Sequence, residues 1–388
     1  MIVDFICQSN FGRSEGGRET WAYQFLPALL ARRKDVLLRV YGQRRPEQPD
    51  TTEALRAAAA PHADRLRSHF LPATQGRWPL PIAMIRAFVA HKRRETQPAA
   101  DVTIAAGSVI ELLALLASRR ARRTFRVLWL RGIWFNEKAD RVPRPLHGLL
   151  RRLEIAVLRR AHLVLANGDD IAAHYGAYGI PVTVIKNAVD LARWEMPAPR
   201  LVEPVQVAFI GRLTPEKGIL DFLAIARAMR DTPDRDRFVF RVMGFGREEE
   251  ATRAAVERGD VVWTGPVAYD EMPAVLRDVD VCAAFTFAAA VGGGGGTSNA
   301  MLEQMAAGRV MLAWDNAIFR QWLDGNNAFL VPQGDVAAAV DALRAIADDR
   351  QVAMARAKAG SARVADFGVP RMMERFDAVL APAMAARR

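Results

Sequence analysis

The chain has 388 residues, 51% hydrophobic and 25% charged, with a formal net charge of +11. That is an ordinary globular composition, long enough for two or three domains with sizeable cores. Its two cysteines, Cys7 and Cys282, sit inside apolar strand-like runs, which excludes a disulfide framework and a cysteine metal site and points to a reducing, cytoplasmic compartment. The opening Met1-Ile-Val-Asp-Phe enters a strand directly, without the basic start and apolar stretch of a signal peptide. No apolar run reaches the ~18 residues that a membrane span needs.

In chain order, short apolar runs alternate with longer periodic ones, the pattern of strand–helix repeats and parallel sheets. In the first half the expected strands are Ile2–Gln8, Val36–Tyr41, Val102–Ala105, Val127–Leu130, Leu163–Ala166 and Val182–Ile185. Between them fall helices at Thr20–Arg32, Ile110–Ser118 and Leu146–Arg160. Pro197, Pro199 and Pro204 resist helix and central strand, which makes 195–204 the best linker. The alternation then restarts with strands at Val205–Ile210, Phe238–Met243, Val261–Trp263, Val281–Phe285, Val310–Ala313 and Ala328–Val331. Helices are expected at Ile219–Met229, Glu248–Arg258, Glu271–Arg277, Ala300–Ala307 and Val336–Asp348. The expected organisation is α/β, with two doubly wound domains at 1–195 and 205–365 and a C-terminal helix at 366–388 that packs back on the first domain.

The charge is uneven. Residues 1–200 carry 32 Lys+Arg against 18 Asp+Glu, a balance of +14, which leaves −3 for residues 201–388. The arginine runs at 119–123, 151–152 and 159–160 suit a solvated helix face, an anionic membrane surface or an acidic acceptor. Nucleic acid fits poorly, because no recognition motif is present and no aromatics interleave with the cations. The stretch Pro79–Arg94, apolar first and basic last after Trp78, has the composition of an interfacial helix and equally of a core-facing helix with a basic end.

Three segments carry chemistry. Gly16-Gly17 opens a helix after the first strand, where glycine lets backbone N–H groups approach a phosphate. Arg212 and Lys217 follow the strand Val205–Ile210, beside Gly211, Pro215 and Gly218, and Gly244-Phe245-Gly246 ends another strand that could line the same edge. A guanidinium and an ammonium at that edge suit a diphosphate. Gly296-Thr297-Ser298-Asn299 caps an apolar helix whose single acid, Glu303, suits the hydroxyls of a ribose.

Together these segments resemble the family 4 retaining glycosyltransferases of the GT-B fold. Gly211–Gly218 resembles G-R-L-x-x-E-K-G, and Gly296–Val310 resembles G-x-S-N-A-L-L-E-A-M-A-x-G-x-P-V. Val184–Asp190 resembles V-I-x-N-G-V-D, Asp324–Val331 resembles D-G-x-N-G-x-L-V, and Gly16–Glu19 resembles the G-G-A-E loop. The resemblance implies two Rossmann-like domains facing across a cleft, an acceptor-binding first domain and a nucleotide-sugar-binding second one. It implies that Arg212 and Lys217 hold the donor diphosphate and act catalytically, and that Glu303 binds the ribose. Gly16, Gly17, Gly211, Gly244, Pro266, Gly295, Gly296, Thr297, Ser298 and Asn299 would complete the donor site. The donor is a UDP- or GDP-sugar bound as substrate, and no metal or other cofactor is expected. The acceptor is a glycan or lipid-linked molecule of cell-surface polysaccharide synthesis, and the protein is cytoplasmic or peripheral on the inner membrane face.

Two departures from the family stand out. Gly295 occupies the place of the first acid in the paired E-x7-E, and Arg131 occupies that of a histidine near the sugar. Arg131 is therefore grouped with the catalytic candidates. The same departures keep open a non-catalytic nucleotide-binding relative, and an epimerase or phosphorylase of the same fold is the other alternative.

Overall fold

The computed structural model describes residues 1–9, 11, 17–44, 50–72, 80–135, 143–288 and 299–387. Five expected site residues, Gly16, Gly295, Gly296, Thr297 and Ser298, lie outside them. The chain divides into two compact units. The first comprises Met1–Asn187 and the chain from Val369 onward, and the second comprises the described residues between Ala188 and Gly368.

In the first unit the order is β1 (Ile2–Ile6), α1 (Gly17–Arg32), β2 (Leu37–Arg44), α2 (Thr52–Ala58), β3 (Leu66–Pro72), α3 (Leu80–Arg94), β4 (Val102–Gly107), α4 (Val109–Ala117), β5 (Phe125–Leu130), α5 (His147–Leu158), β6 (Leu163–Ala166), α6 (Asp169–Gly176) and β7 (Thr183–Val184). The strands form a seven-stranded parallel sheet ordered β3-β2-β1-β4-β5-β6-β7. In the second unit the order is β8 (Val205–Ile210), α7 (Ile219–Arg230), β9 (Phe238–Met243), α8 (Glu249–Glu257), β10 (Val262–Trp263), α9 (Met272–Leu276), β11 (Val281–Ala284), α10 (Asn299–Ala306), β12 (Val310–Asp315), β13 (Phe329–Pro332), α11 (Val336–Asp348) and α12 (Arg350–Ala365). Its six-stranded parallel sheet is ordered β10-β9-β8-β11-β12-β13. Both sheets are doubly wound. Their strand order reverses between β1 and β4 and between β8 and β11, and the carboxyl ends at such a reversal are where ligands bind in open α/β sheets.

The last helix, α13 (Val369–Ala385), belongs to the first unit. Phe376 stacks on Trp129 at 5.5 Å and meets Phe25 edge-on at 5.2 Å, while Arg33 pairs with Asp377 at 2.7 Å. Burial of these rings holds the helix, since aromatic side chains carry large apolar area.

One expectation changes. The proline-rich stretch 195–204 is not a free linker. The Asp280 carboxylate accepts hydrogen bonds from the backbone of Arg200, Leu201 and Gln206 at 2.9–3.0 Å, and the Arg309 guanidinium reaches the Pro197 carbonyl. Trp194 and Leu201 are fully buried in the core of the second unit, and Leu201 takes a left-handed φ of 51° to stay there. The stretch is thus part of that unit, whose residues begin at Ala188. Of the two readings of the stretch 79–94, the described part of α3 fits the core-facing one, since Ala83, Met84 and Phe88 face the core. Its Lys92 is drawn inside as well, where it pairs with Asp4 at 2.6 Å and Glu95 at 2.9 Å, and Arg39 closes the network onto both acids. Of its basic end, Lys92 neutralises interior carboxylates, since a charge out of water is costly unless paired.

Candidate functional site

The second unit builds its site on the reversal between β8 and β11. Gly211, just past β8, donates its N–H to the Met243 carbonyl at 3.0 Å. Gly244, just past β9, donates to the Gly265 carbonyl at 2.8 Å, and the Trp263 indole N–H reaches the Gly244 carbonyl at 3.0 Å. The loops after three adjacent strands are thereby laced into one rim. Gly244 has φ 145°, and a Cβ there would lie 1.8 Å from the Gly211 oxygen. Only glycine permits that approach. Pro266 is exposed on the same rim, directly after Gly265.

Beyond Gly211 the chain makes a short turn, Pro215–Lys217, ended by Gly218 in the left-handed region at φ 78°. A Cβ on Gly218 would lie 2.3 Å from the Phe285 carbonyl, and the Phe287 N–H donates to the Glu216 carbonyl at 3.1 Å. The exit of β11 thus clamps the turn that carries Lys217.

Arg212 is exposed and Lys217 half-buried. Among the described residues neither has an ion pair or a side-chain hydrogen bond. Desolvation, reinforced by the charge of Arg212, holds the Lys217 ammonium below its usual range. Glu216 opposes this, but its carboxylate is held by Arg247 at 2.6 Å. Two cations side by side without an anion raise each other's energy, and an oxyanion placed between them reverses the sign of that term.

Glu303 lies one turn into α10, which starts at Asn299, itself buried. Glu303 is only 7% exposed, and its Oε1 has no hydrogen-bond partner among the described residues. Burial pushes its carboxyl up from 4.5 to about 8, and the charge of Arg193 opposes weakly. Arg193 is committed elsewhere: it pairs with Asp270 at 3.0 Å, donates to the Tyr269 carbonyl at 3.0 Å and stacks on the Tyr269 ring at 4.4 Å. Sequence reading did not single out Arg193. Its signal was its place three residues after the Val184–Asp190 motif, in a turn that packs on α10.

In the first unit, Gly17 is the first residue of α1. Arg131 follows β5, its N–H bonded to the Gly107 carbonyl at 2.9 Å. Its Nη1 donates to Asn187 Oδ1 at 2.5 Å, and the guanidinium lies 3.4 Å from the centroid of the Trp21 ring. The structure therefore gathers Gly211, Arg212, Lys217, Gly244 and Pro266 along the strand ends of the second unit, with Asn299 and Glu303 on the helix after β11. Gly17 and Arg131 belong to the first unit.

With this geometry in hand, residues 204–349 match the family described as glycosyl transferases group 1, and residues 15–193 match glycosyltransferase family 4. The chain is 30% identical over 224 residues to a 2-deoxystreptamine N-acetyl-D-glucosaminyltransferase of Streptomyces fradiae, covering 52% of this chain and 51% of that protein. It is 26% identical over 206 residues to a glycogen synthase of Mycobacterium tuberculosis, covering 51% and 48%. The chain thus spans about half the length of the curated relatives it matches. Among solved structures it resembles a sucrose-phosphate synthase of Thermosynechococcus elongatus (TM-score 0.77, 15% identity, 100% of both chains). It also resembles Anabaena HepE in complex with UDP-glucose (TM-score 0.73, 16% identity, 98% of this chain and 100% of that one). At such identities the likeness is one of fold, and the fold is GT-B.

The raised carboxyl of Glu303 has a consequence for stability. Between pH 4.5 and about 8 the unfolded chain ionises this group while the folded chain keeps it neutral. Its contribution is complete below that window and is lost as pH rises through it. Glu303→Gln should therefore gain melting temperature relative to the wild type from pH 5 to pH 8.5 in the absence of ligand. Melting curves across that range check this, and a constant difference would contradict it.

Proposed function

The chain belongs to the family 4 glycosyltransferases, and we propose that it moves a sugar from a nucleoside-diphosphate sugar to a glycan or lipid-linked acceptor of cell-surface polysaccharide or glycoconjugate synthesis. The observation that carries this reading is the pair of unpaired cations, Arg212 and Lys217, on the same strand-end rim as the helix bearing the buried, incompletely bonded Glu303. The cations suit a diphosphate and the acid suits ribose hydroxyls. The UDP-glucose bound to HepE, which shares this fold, supports a nucleotide-sugar donor.

In the proposed reaction the bond between the anomeric carbon and the diphosphate oxygen breaks, and the acceptor oxygen forms its bond on the face the diphosphate leaves. The acceptor's proton passes to a departing diphosphate oxygen, so the anomeric configuration is retained. Arg212 and Lys217 meet the charge that develops on the leaving group, and no metal is needed for that role. Glu303 fixes the nucleotide, and the rim glycines let backbone approach it.

Localisation at an anionic membrane face is part of the same reading, with α5 as the contact. Leu146, Leu149 and Leu153 recur at helical spacing and are 46%, 55% and 52% exposed. Arg144, Arg152, Arg159 and Arg160 are exposed on the same segment, with no ion pair among the described residues. The one acid of α5, Glu154, is buried and bonded to the Tyr175 hydroxyl. An apolar stripe flanked by cations suits a helix lying in a lipid interface. Among the described residues no helix is long and apolar enough to cross a membrane.

Arg212→Ala and Lys217→Ala should each weaken UDP or GDP binding about tenfold or more, since charge-assisted hydrogen bonds contribute ~1.5–3 kcal/mol. Turnover should survive EDTA, and NMR of the product should show the donor's anomeric configuration. Unchanged affinity in both variants sinks the diphosphate site, and an inverted product sinks the mechanism.

For the membrane contact, the wild type should float with vesicles containing phosphatidylglycerol and not with neutral ones. The double variant Leu149→Ser, Leu153→Ser should lose about tenfold in partition. Equal partition of the wild type to both vesicle types would end the electrostatic part.

A further inference from the structure

The Arg131 guanidinium is short of partners. Its Nη1 is taken by Asn187, while Nε and Nη2 are shut off from water and have no hydrogen-bond partner among the described residues. Those two nitrogens form the side-on edge of a guanidinium, whose parallel N–H groups grip both oxygens of a carboxylate or two oxygens of a phosphate. The plane of this fork is fixed from behind, 3.4 Å from the Trp21 ring centroid and 5.4 Å from that of Trp129.

The acids around Cys7 are committed elsewhere. Glu111 accepts from the Gln8 N–H at 3.2 Å and from the Ser108 N–H and hydroxyl at 2.8 and 2.9 Å. Glu19 accepts from the Ser9 hydroxyl at 2.6 Å. No ion pair reaches Arg131 among the described residues. Desolvation and the neighbouring cation Arg18 hold its pKa well below the usual guanidinium range, and Cys7, which burial keeps as the neutral thiol, supplies no counter-charge. Ring contacts of this kind offset part of the cost of a desolvated cation and leave its donors empty. A guanidinium held out of water with two oriented, unused N–H edges is a preorganised oxyanion site.

We propose that Arg131 anchors an oxyanion-binding site in the first unit, at the carboxyl end of β5, which takes a carboxylate or phosphate carried by the acceptor. That the anion belongs to the acceptor rests on the transferase reading. The site itself rests on the geometry of Arg131. Asn187 and Trp21 are its positioning residues, one holding Nη1 and the other the plane.

Thermal shift on the full chain tests it with glucuronate, glucose 6-phosphate and glucose at matched ionic strength. Glucuronate, glucose 6-phosphate or both should raise the melting temperature, and glucose should not. The responding ligand separates a carboxylate from a phosphate source. Arg131→Lys keeps the charge and loses the fork, and should weaken the responding anion about tenfold. Arg131→Met should abolish the response while melting no lower than the wild type without ligand, since an uncompensated buried charge has been removed. The wild type should also be stabilised by UDP or GDP, so loss of that response would count against the transferase reading alone. A wild type that responds to neither anion, or variants that keep the full response, overturns the proposal. If Arg131→Met melts well below the wild type and the wild type ignores both anions, Arg131 is a packing residue.

Discussion

The site of the second unit depends on two places where backbone meets backbone without room for a side chain. Gly244 lies against the Gly211 carbonyl and Gly218 against that of Phe285, with positive φ at both. The first contact joins the loops after β8 and β9, and the second joins the loop after β8 to the exit of β11. Between them they fix the turn that holds Arg212 and Lys217. A Cβ at either position would push the strand ends apart. The cost would fall on the rim first, because the strands beneath are paired along their length.

The candidate site residues carry electrostatic terms left unbalanced in the free protein. In the second unit Arg212 and Lys217 repel one another and Glu303 is neutralised by burial, and in the first Arg131 keeps two N–H edges empty. Elsewhere the same chain balances its buried charges carefully. Asp4, Arg39, Lys92 and Glu95 close on each other within 3.1 Å, and Asp280 accepts three backbone N–H groups. The contrast separates charges that are paired within the fold from charges that are not.

Much of this was legible in the sequence. Leu163–Ala166 and Val205–Ile210 were read to the residue, because buried parallel strands are continuous apolar runs bounded by turns. The edge strand Leu66–Pro72 was missed, since Arg67, Ser68 and His69 dilute its apolar character. The prolines at 197, 199 and 204 read as a linker, but the carboxylate that captures that stretch, Asp280, lies far away in sequence. Pro79–Arg94 suited an interfacial helix and a core-facing one equally, because composition does not show that Lys92 points inward to Asp4. The motifs singled out Arg212, Lys217 and Glu303, whereas the burial of Glu303 and the missing partners of Arg212 and Lys217 are three-dimensional facts. Arg193 was invisible for the same reason, its link to Glu303 passing through packing between two turns.

On the proposed site a nucleoside diphosphate would set its phosphates on Arg212 and Lys217 and its ribose on Glu303. Calorimetry on a two-by-two cycle tests it most directly, using the wild type and Glu303→Gln with the nucleoside diphosphate and its 2′,3′-dideoxy analogue. Losing the hydroxyls should cost the wild type about tenfold or more in affinity and the variant little, because the two changes remove one interaction. An equal loss in both proteins would contradict it.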